Sequence, residues 1–127
     1  MGAMTGERAS GVQGEKVALQ LLLYAGWDLI ERQYLIHGHR VDYRMKHPQY
    51  GETLVEVKVW ATVSGRDTVK KAIADAYDLQ QTGDALPYVL VLSHDLAGLL
   101  SAMLRRAIAA GAIRDVLVLT LVPFGAA

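Results

Sequence analysis

Two short runs in which apolar and polar residues alternate constrain the fold of this chain more than any other feature. They cover residues 41–43 and 54–59, and the segment between them carries Pro48 and Gly51. Alternation at every second residue is typical of a β-strand, and Pro and Gly are common in the turns that join antiparallel strands. The two runs are therefore predicted to pair as an antiparallel hairpin.

The alternation also predicts which side chains of this hairpin share a face. The residues predicted to face a core are Val41, Tyr43, Met45, Val55, Val57 and Val59. A register that buries both sets brings Asp42 beside Glu56, with Lys58 next along the strand. Two carboxylates held that close repel each other unless a cation lies between them. The pattern therefore predicts a hard divalent ion bound through oxygen, for which Mg²⁺ is the natural candidate.

A plainer interpretation of these three residues is also open. Asp42, Glu56 and Lys58 would then lie on the solvated face of a hairpin, where the lysine offsets the acids. A Glu-x-Lys motif is short enough to occur often by chance. The rest of the chain has to decide between the two interpretations.

A glutamate on the first predicted helix bears on that choice. The helix spans residues 7–25 and ends at Gly26, and its apolar stripe consists of Val12, Leu19 and Leu22. Glu15 falls within this stripe, where an acid is costly unless a charged or hydrogen-bonding group meets it. An ion pair with Arg8 or Lys16 at the edge of the stripe is the alternative. With a metal site expected below the helix, we expect Glu15 to face it.

Length and composition limit the class of protein. The chain has 127 residues, of which 52% are apolar and 20% charged, so one globular domain is predicted over residues 1–127. Residues 1–6 are expected to be disordered or left over from expression. There is no cysteine, which excludes disulfides, thiolate metal sites and a cysteine nucleophile. No signal pattern and no run of about 20 apolar residues is present, so we expect a cytoplasmic protein with no membrane partner.

The formal net charge is zero, so any surface that binds nucleic acid must be local. The second predicted helix, opened near residue 64, offers such a surface along one flank. Its candidate nucleic-acid-binding residues are Arg66, Lys70, Tyr77 and Gln80, to which Trp60 is added from the preceding strand. Taken singly, these side chains also fit a solvated rim.

The remaining segments complete the predicted order of elements. A strand lies within residues 27–36, and His37 and His39 occupy a turn that lacks a third zinc ligand at a recognisable spacing. Residues 87–92 form a buried strand, Asp95 caps a helix over residues 96–110, and a last strand covers residues 115–122. The order is α-β-β-β-α-β-α-β, which predicts a mixed sheet with helices on both faces.

At this point the chain resembles the PD-(D/E)XK nuclease superfamily, whose core is αβββαβ. The motifs that carry the resemblance are Gly14-Glu15, Val41-Asp42 and Glu56-Val57-Lys58. Their order on the expected elements covers residues 10–95 and leaves a C-terminal αβ extension. The spacing is most similar to small members, such as Holliday junction resolvases and the nuclease domains of restriction and defence proteins. Two departures are Val41 in place of Pro and the order of Tyr77 before Gln80.

The resemblance implies a metal-dependent endonuclease of DNA repair, recombination or defence. Asp42 and Glu56 would bind Mg²⁺, with Mn²⁺ as a substitute, and the Val57 carbonyl would be a backbone ligand. Glu15 would act directly or through water, and Lys58 would assist catalysis. The implied substrate is nucleic acid, with DNA expected, and the implied product is a 5′-phosphate.

Two alternatives from other classes stay open. One is a noncatalytic nucleic-acid-binding or assembly module that keeps the nuclease fold. The other is a partner-binding domain, suggested by the Leu- and Ala-rich third helix, which burial in the sheet or in a homodimer explains more simply.

Overall fold

The computed structural model describes residues 7–59 and 65–119, with side chains over residues 14–59 and 66–119. The elements are α1 (Glu7–Tyr24), β1 (Asp28–Ile36), β2 (His39–His47), β3 (Gly51–Lys58), α2 (Gly65–Gln80), β4 (Tyr88–Leu92), α3 (His94–Leu99), α4 (Ser101–Ala109) and β5 (Asp115–Val118). Residues 1–6, Trp60 and residues 120–122 of the predicted last strand lie outside the described residues. Within them, no helix is long and apolar enough to span a bilayer.

The described strands form one five-stranded sheet in the order β1-β2-β3-β4-β5. The pairs β1/β2 and β2/β3 are antiparallel, whereas β3/β4 and β4/β5 are parallel. The change of direction follows from the connections, because short turns join the first three strands and helices join the last three. The predicted fold class, a mixed α/β sheet flanked by helices, is confirmed.

Two clusters of buried side chains in the described part cover the two faces of the sheet. On one face α1 packs its residues Ala18, Leu19 and Leu22 against valines of β3 and β4. On the other face α2, α3 and α4 pack against Leu54, Leu90 and Leu92. Because neighbouring residues of β3 and β4 enter different clusters, both strands are buried on both sides.

Helix α1 ends where its sequence predicts. Gly26 has a φ of +100°, a left-handed conformation that glycine adopts without the steric cost of a Cβ atom. The amide of Trp27 donates to the carbonyl of Leu22 at 3.0 Å, which satisfies a carbonyl at the helix end. The chain can therefore reverse directly into β1.

The prediction that Val41, Tyr43 and Met45 share one face of β2 is wrong. All three are buried as predicted, but Tyr43 and Met45 pack in the cluster of α1 and Val41 packs in the cluster of α2. Gln33 of β1 lies opposite Asp42, between the pairs Arg32–Tyr43 and Tyr34–Val41, and has a φ of +49°. This left-handed residue interrupts the extended ribbon, and a two-stranded ribbon also twists more than a wide sheet. Next to this irregularity, Val41 lies on the face that α2 covers.

The turn between β1 and β2 is confirmed, but its histidines have partners. His37 and Gly38 both have positive φ values, 49° and 80°, as a two-residue type I′ turn requires. His37 Nε2 lies 2.8 Å from an Asp84 carboxylate oxygen, and His39 contacts both Asp75 and Asp78 of α2. The hairpin is thus attached to one flank of α2.

The predicted single helix over residues 96–110 is wrong, because the segment forms two helices. Leu100 separates α3 from α4 with a φ of −111° and a ψ of 19°, outside the helical region. The side chain of Leu100 is buried, so packing into the core directs the bend. Ser93, and not Asp95, is the N-cap, and its hydroxyl accepts from the Leu96 amide at 3.3 Å.

Two adjacent leucines of α1 test how far this helix depends on its buried face. Leu22 is fully buried, whereas Leu23 is 39% exposed. Leu22→Ala should lower the free energy of unfolding by about 2–5 kcal/mol, because it leaves a cavity under the helix. Leu23→Ala should lower it by less than about 1 kcal/mol. Urea denaturation of both variants measures the difference, and equal losses would contradict the packing of α1 on the sheet.

Candidate active site

The candidate site forms where β2 and β3 separate. Their ladder runs from His47–Gly51 to Tyr43–Val55, and the next opposed residues are Asp42 and Glu56, the predicted neighbours. Here side chains bridge the strands: the Asp42 amide donates to Glu56 Oε1 at 2.9 Å, and the Val57 amide donates to Asp42 Oδ2 at 2.8 Å. Carboxylates take the place of ladder carbonyls because buried amides need an acceptor.

Both of these acids are shielded from solvent. Asp42 is 8% exposed and Glu56 is 9% exposed, and Lys58 places its Nζ atom 3.6 Å from Glu56 Oε2. Burial, followed by the negative charge of Asp42, raises the pKa of Glu56 to about 8, although Lys58 and the Asp42 amide act in the opposite direction. Glu56 therefore sits where its negative charge is unfavourable unless further positive charge is supplied.

Helix α1 brings a third carboxylate to the same place. Burial raises the pKa of Glu15 to about 7, together with the charge of Asp42 and a side-chain hydrogen bond to it, and Lys58 lowers it in part. The hydroxyl of Tyr43 donates to the Glu15 carbonyl at 3.4 Å, so β2 holds this turn of the helix. Glu15 makes no ion pair with Lys16, and the side chain of Arg8 lies outside the described residues.

Tyr88 at the start of β4 is a buried polar residue near these acids that the sequence analysis missed. Its side chain is buried, and burial, followed by the negative charges of Glu56, Asp75 and Asp42, raises its pKa. The phenol therefore stays neutral beside the acids. In the sequence Tyr88 belongs only to a buried apolar run, so nothing there connects it with carboxylates distant along the chain.

The carboxylates meet, but they do not form a complete metal shell. Among the side chains of residues 14–59 and 66–119, no three His, Cys, Asp or Glu residues are arranged to hold an ion. Asp42 and Glu56 each direct one oxygen to a backbone amide, which turns the carboxylates into the strand junction. Each has a second oxygen, and hard oxygen donors of this kind suit Mg²⁺ or Mn²⁺. A divalent cation would relieve the repulsion that raises the pKa values of Glu15 and Glu56.

The predicted nucleic-acid-binding residues of α2 separate into two groups. Arg66 and Lys70 line a groove between α2 and α4, and Tyr77 is exposed further along α2. Gln80 instead donates through Nε2 to the Ala110 carbonyl at 2.7 Å, where it caps the end of α4. Fourteen residues of helix, about 20 Å, separate Arg66 from Gln80. The structure therefore brings the two cations together and places Gln80 elsewhere.

Comparison with known proteins adds little to this site. No protein-family model matches the chain, and no curated protein matches its sequence. Among solved structures, it is similar to the chain in "The structure of Pyrococcus Furiosus SfsA in complex with Ca2+", with 21% identity and a TM-score of 0.45. The match covers 87% of this chain and 55% of that one, so this chain spans about half the length of that protein. The fold assignment rests on the strand order and helix packing described above.

The raised pKa values predict a pH dependence of stability in the presence of a chelator. Glu15 and Glu56 keep protons in the folded protein up to about pH 7 and about pH 8, but ionise near 4.5 in the unfolded chain. Between these values the folded state binds more protons, so stability should fall as pH rises from about 4.5 to 8. Glu15→Gln should reduce the fall and raise the melting temperature at pH 8.

Glu31 supplies a matched control, because it is an exposed acid on β1. Glu31→Gln removes the same charge away from the cluster and should leave the pH profile of the melting temperature as in the parent. If the melting temperature depends on pH in the same way for the Glu15 and Glu31 variants, Glu15 behaves as an ordinary surface acid.

Proposed function

We propose that this protein is a metal-dependent nuclease that hydrolyses phosphodiester bonds in nucleic acid, with DNA as the expected substrate. One observation carries the proposal. Glu15, Asp42, Glu56 and Lys58 come from α1, β2 and β3, and meet where the two strands separate. The resemblance to PD-(D/E)XK nucleases supports it, because these residues are the ones that match the motifs of that superfamily.

The donor set fits a divalent cation by its chemistry. Asp42 and Glu56 would hold Mg²⁺ or Mn²⁺, with the Val57 carbonyl as a backbone ligand and Glu15 acting directly or through water. When bound, such an ion lowers the pKa of a coordinated water and neutralises charge that develops on the phosphate. Without a metal, protons neutralise the carboxyl groups of Glu15 and Glu56. Metal binding would therefore release these protons.

Lys58 is the positively charged side chain of the site. Its Nζ atom lies 3.6 Å from Glu56 Oε2, so the ammonium group is beside the carboxyl groups, where it would orient the attacking water or contact a phosphate oxygen in the transition state. The low exposure of Asp42 and Glu56 limits screening by bulk water, which strengthens every electrostatic interaction in the site. Attack in this arrangement would leave a 5′-phosphate, as in the superfamily that the chain resembles.

Catalysis explains the site better than a binding module does. A module that only binds nucleic acid has no need of three neighbouring carboxylates, since acids repel phosphates. Keeping such a cluster partly protonated and buried costs stability that a simple hairpin would retain. Binding without turnover is the second candidate, and it is separated from the first by a cleavage assay.

Metal linkage gives the first test. An ion that binds only the folded protein should stabilise it by about 2.7 kcal/mol at a hundred times its dissociation constant. Melting temperatures should therefore rise in Mg²⁺ or Mn²⁺ relative to a chelator. Asp42→Asn should abolish the rise, whereas Asp28→Asn, a change at an exposed acid of β1, should preserve it. Equal shifts in the two variants would place the metal elsewhere.

Cleavage gives the second test. Purified protein is incubated with labelled single-stranded, duplex and branched DNA, and with RNA, in Mg²⁺ or chelator. Lys58→Ala should keep the fold and the nucleic-acid affinity but lower the cleavage rate by on the order of a hundredfold, as expected for loss of a positioned catalytic group. Undiminished cleavage would remove Lys58 from the mechanism. Binding of these substrates with no metal-dependent cleavage of any would favour the noncatalytic module.

A further inference from the structure

A groove between α2 and α4 carries three cations. Its volume is about 340 Å³, and Arg66 and Lys70 of α2 line it together with Arg106 of α4. Leu99, Leu100 and Met103 form the apolar part of the lining. Arg106 belongs to the C-terminal extension, so two helices that are distant along the chain build this surface.

The charged side chains that line the groove are all cations. No carboxylate lines it, and within the described part of the chain Arg66, Lys70 and Arg106 form no ion pair. The aspartates of α2 that contact His39, Asp75 and Asp78, lie on its other flank. Charge is therefore segregated across α2, although the whole chain has no net charge.

The groove lies toward the same edge of the sheet as the candidate active site. Helix α2 begins seven positions after Lys58, and α3 follows directly from the end of β4. The Ser93 amide donates to the Lys58 carbonyl at 3.3 Å, which ties the entrance of α3 to the strand that carries Glu56. The groove and the C-terminal end of β3 therefore lie toward the same edge of the sheet.

We infer that this groove binds backbone phosphates of a nucleic acid beside the point of cleavage. Two guanidinium groups and an ammonium group suit phosphate oxygens, since arginine presents paired donors and lysine a point charge. The volume is near the lower end of ligand sites, about 300–1,000 Å³, so the groove suits a short segment of a longer ligand. The exposed Leu99 side chain offers an apolar surface for a sugar or base. The choice of polyanion rests on the proposed nuclease function.

Salt-dependent binding of labelled oligonucleotides to the full chain tests this inference. Fluorescence anisotropy is measured in chelator, so that no cleavage occurs, for Arg66→Ala, Lys70→Ala, Arg106→Ala and the triple variant. Each lost phosphate contact should weaken binding and lower the slope of log affinity against log salt by about 0.7 for a single strand and about 0.9 for duplex DNA. The triple variant should lose roughly the sum of the three slopes.

Lys71→Ala is the control matched for charge. Lys71 lies beside Lys70 on the same helix, but its side chain is 80% exposed and pairs with Asp75 outside the groove. This variant should keep the parent's affinity and salt slope. All of the variants should also keep the melting temperature and its Mg²⁺ shift, because the replaced side chains are exposed.

The outcomes separate this inference from the proposed function. If the groove variants bind like Lys71→Ala while the parent cleaves DNA in Mg²⁺, phosphate binding in the groove is contradicted and the nuclease function is supported. If the groove variants lose binding but the parent cleaves nothing, phosphate binding in the groove is supported and the nuclease function is contradicted. A parent that binds no oligonucleotide, or that binds a poly-glutamate peptide more tightly, would overturn the groove as a phosphate site.

Discussion

Two hydrogen bonds across the junction of β2 and β3 determine much of this structure. Where the strands separate, the amides of Asp42 and Val57 would be buried without partners, and the carboxylates of Glu56 and Asp42 accept from them. Such a hydrogen bond contributes about 0.5–1.5 kcal/mol, and about 1.5–3 kcal/mol where the acceptor is charged. The strands can therefore diverge only if both acids stay in place, buried and adjacent. The same bonds that complete the fold concentrate negative charge at one point.

The surrounding core supplies the stability that this concentration of charge removes. Strand β4 is buried along its whole length, and α1 covers the valine face of β3 and β4 with Leu19 and Leu22. Since α1 also carries Glu15, its apolar stripe determines how near that carboxylate comes to Asp42. The hydroxyl of Tyr43 strengthens this link by its bond to the helix backbone. The packing of α1 on the sheet therefore determines the position of Glu15 in the site.

Local sequence patterns predicted the elements, their order and the register that brings Asp42 beside Glu56, because period, turn residues and glycine act over short distances. They failed where a tertiary constraint decides. Val41 follows the alternation but packs on the α2 side, one residue from the position opposite Gln33, whose left-handed conformation has no glycine to mark it. The bend at Leu100 likewise lacks a proline or glycine at its position. Tyr88 and Arg106 join their clusters only through packing of distant segments, which no motif records.

The distribution of charge connects the proposed active site with the proposed phosphate-binding groove. The acidic site repels a phosphate backbone as long as its carboxylates carry negative charge, whereas the groove of Arg66, Lys70 and Arg106 attracts it. A strand held in the groove would therefore approach Asp42 and Glu56 favourably only after a cation, or protons, had neutralised them. Burial and the charge of Asp42 raise the pKa of Glu56 to about 8, so a proton neutralises Glu56 below that pH and a cation would take over this part above it. If both proposals hold, protons or a bound metal allow the strand to approach the acids, the metal supplies the chemistry, and the groove retains the strand.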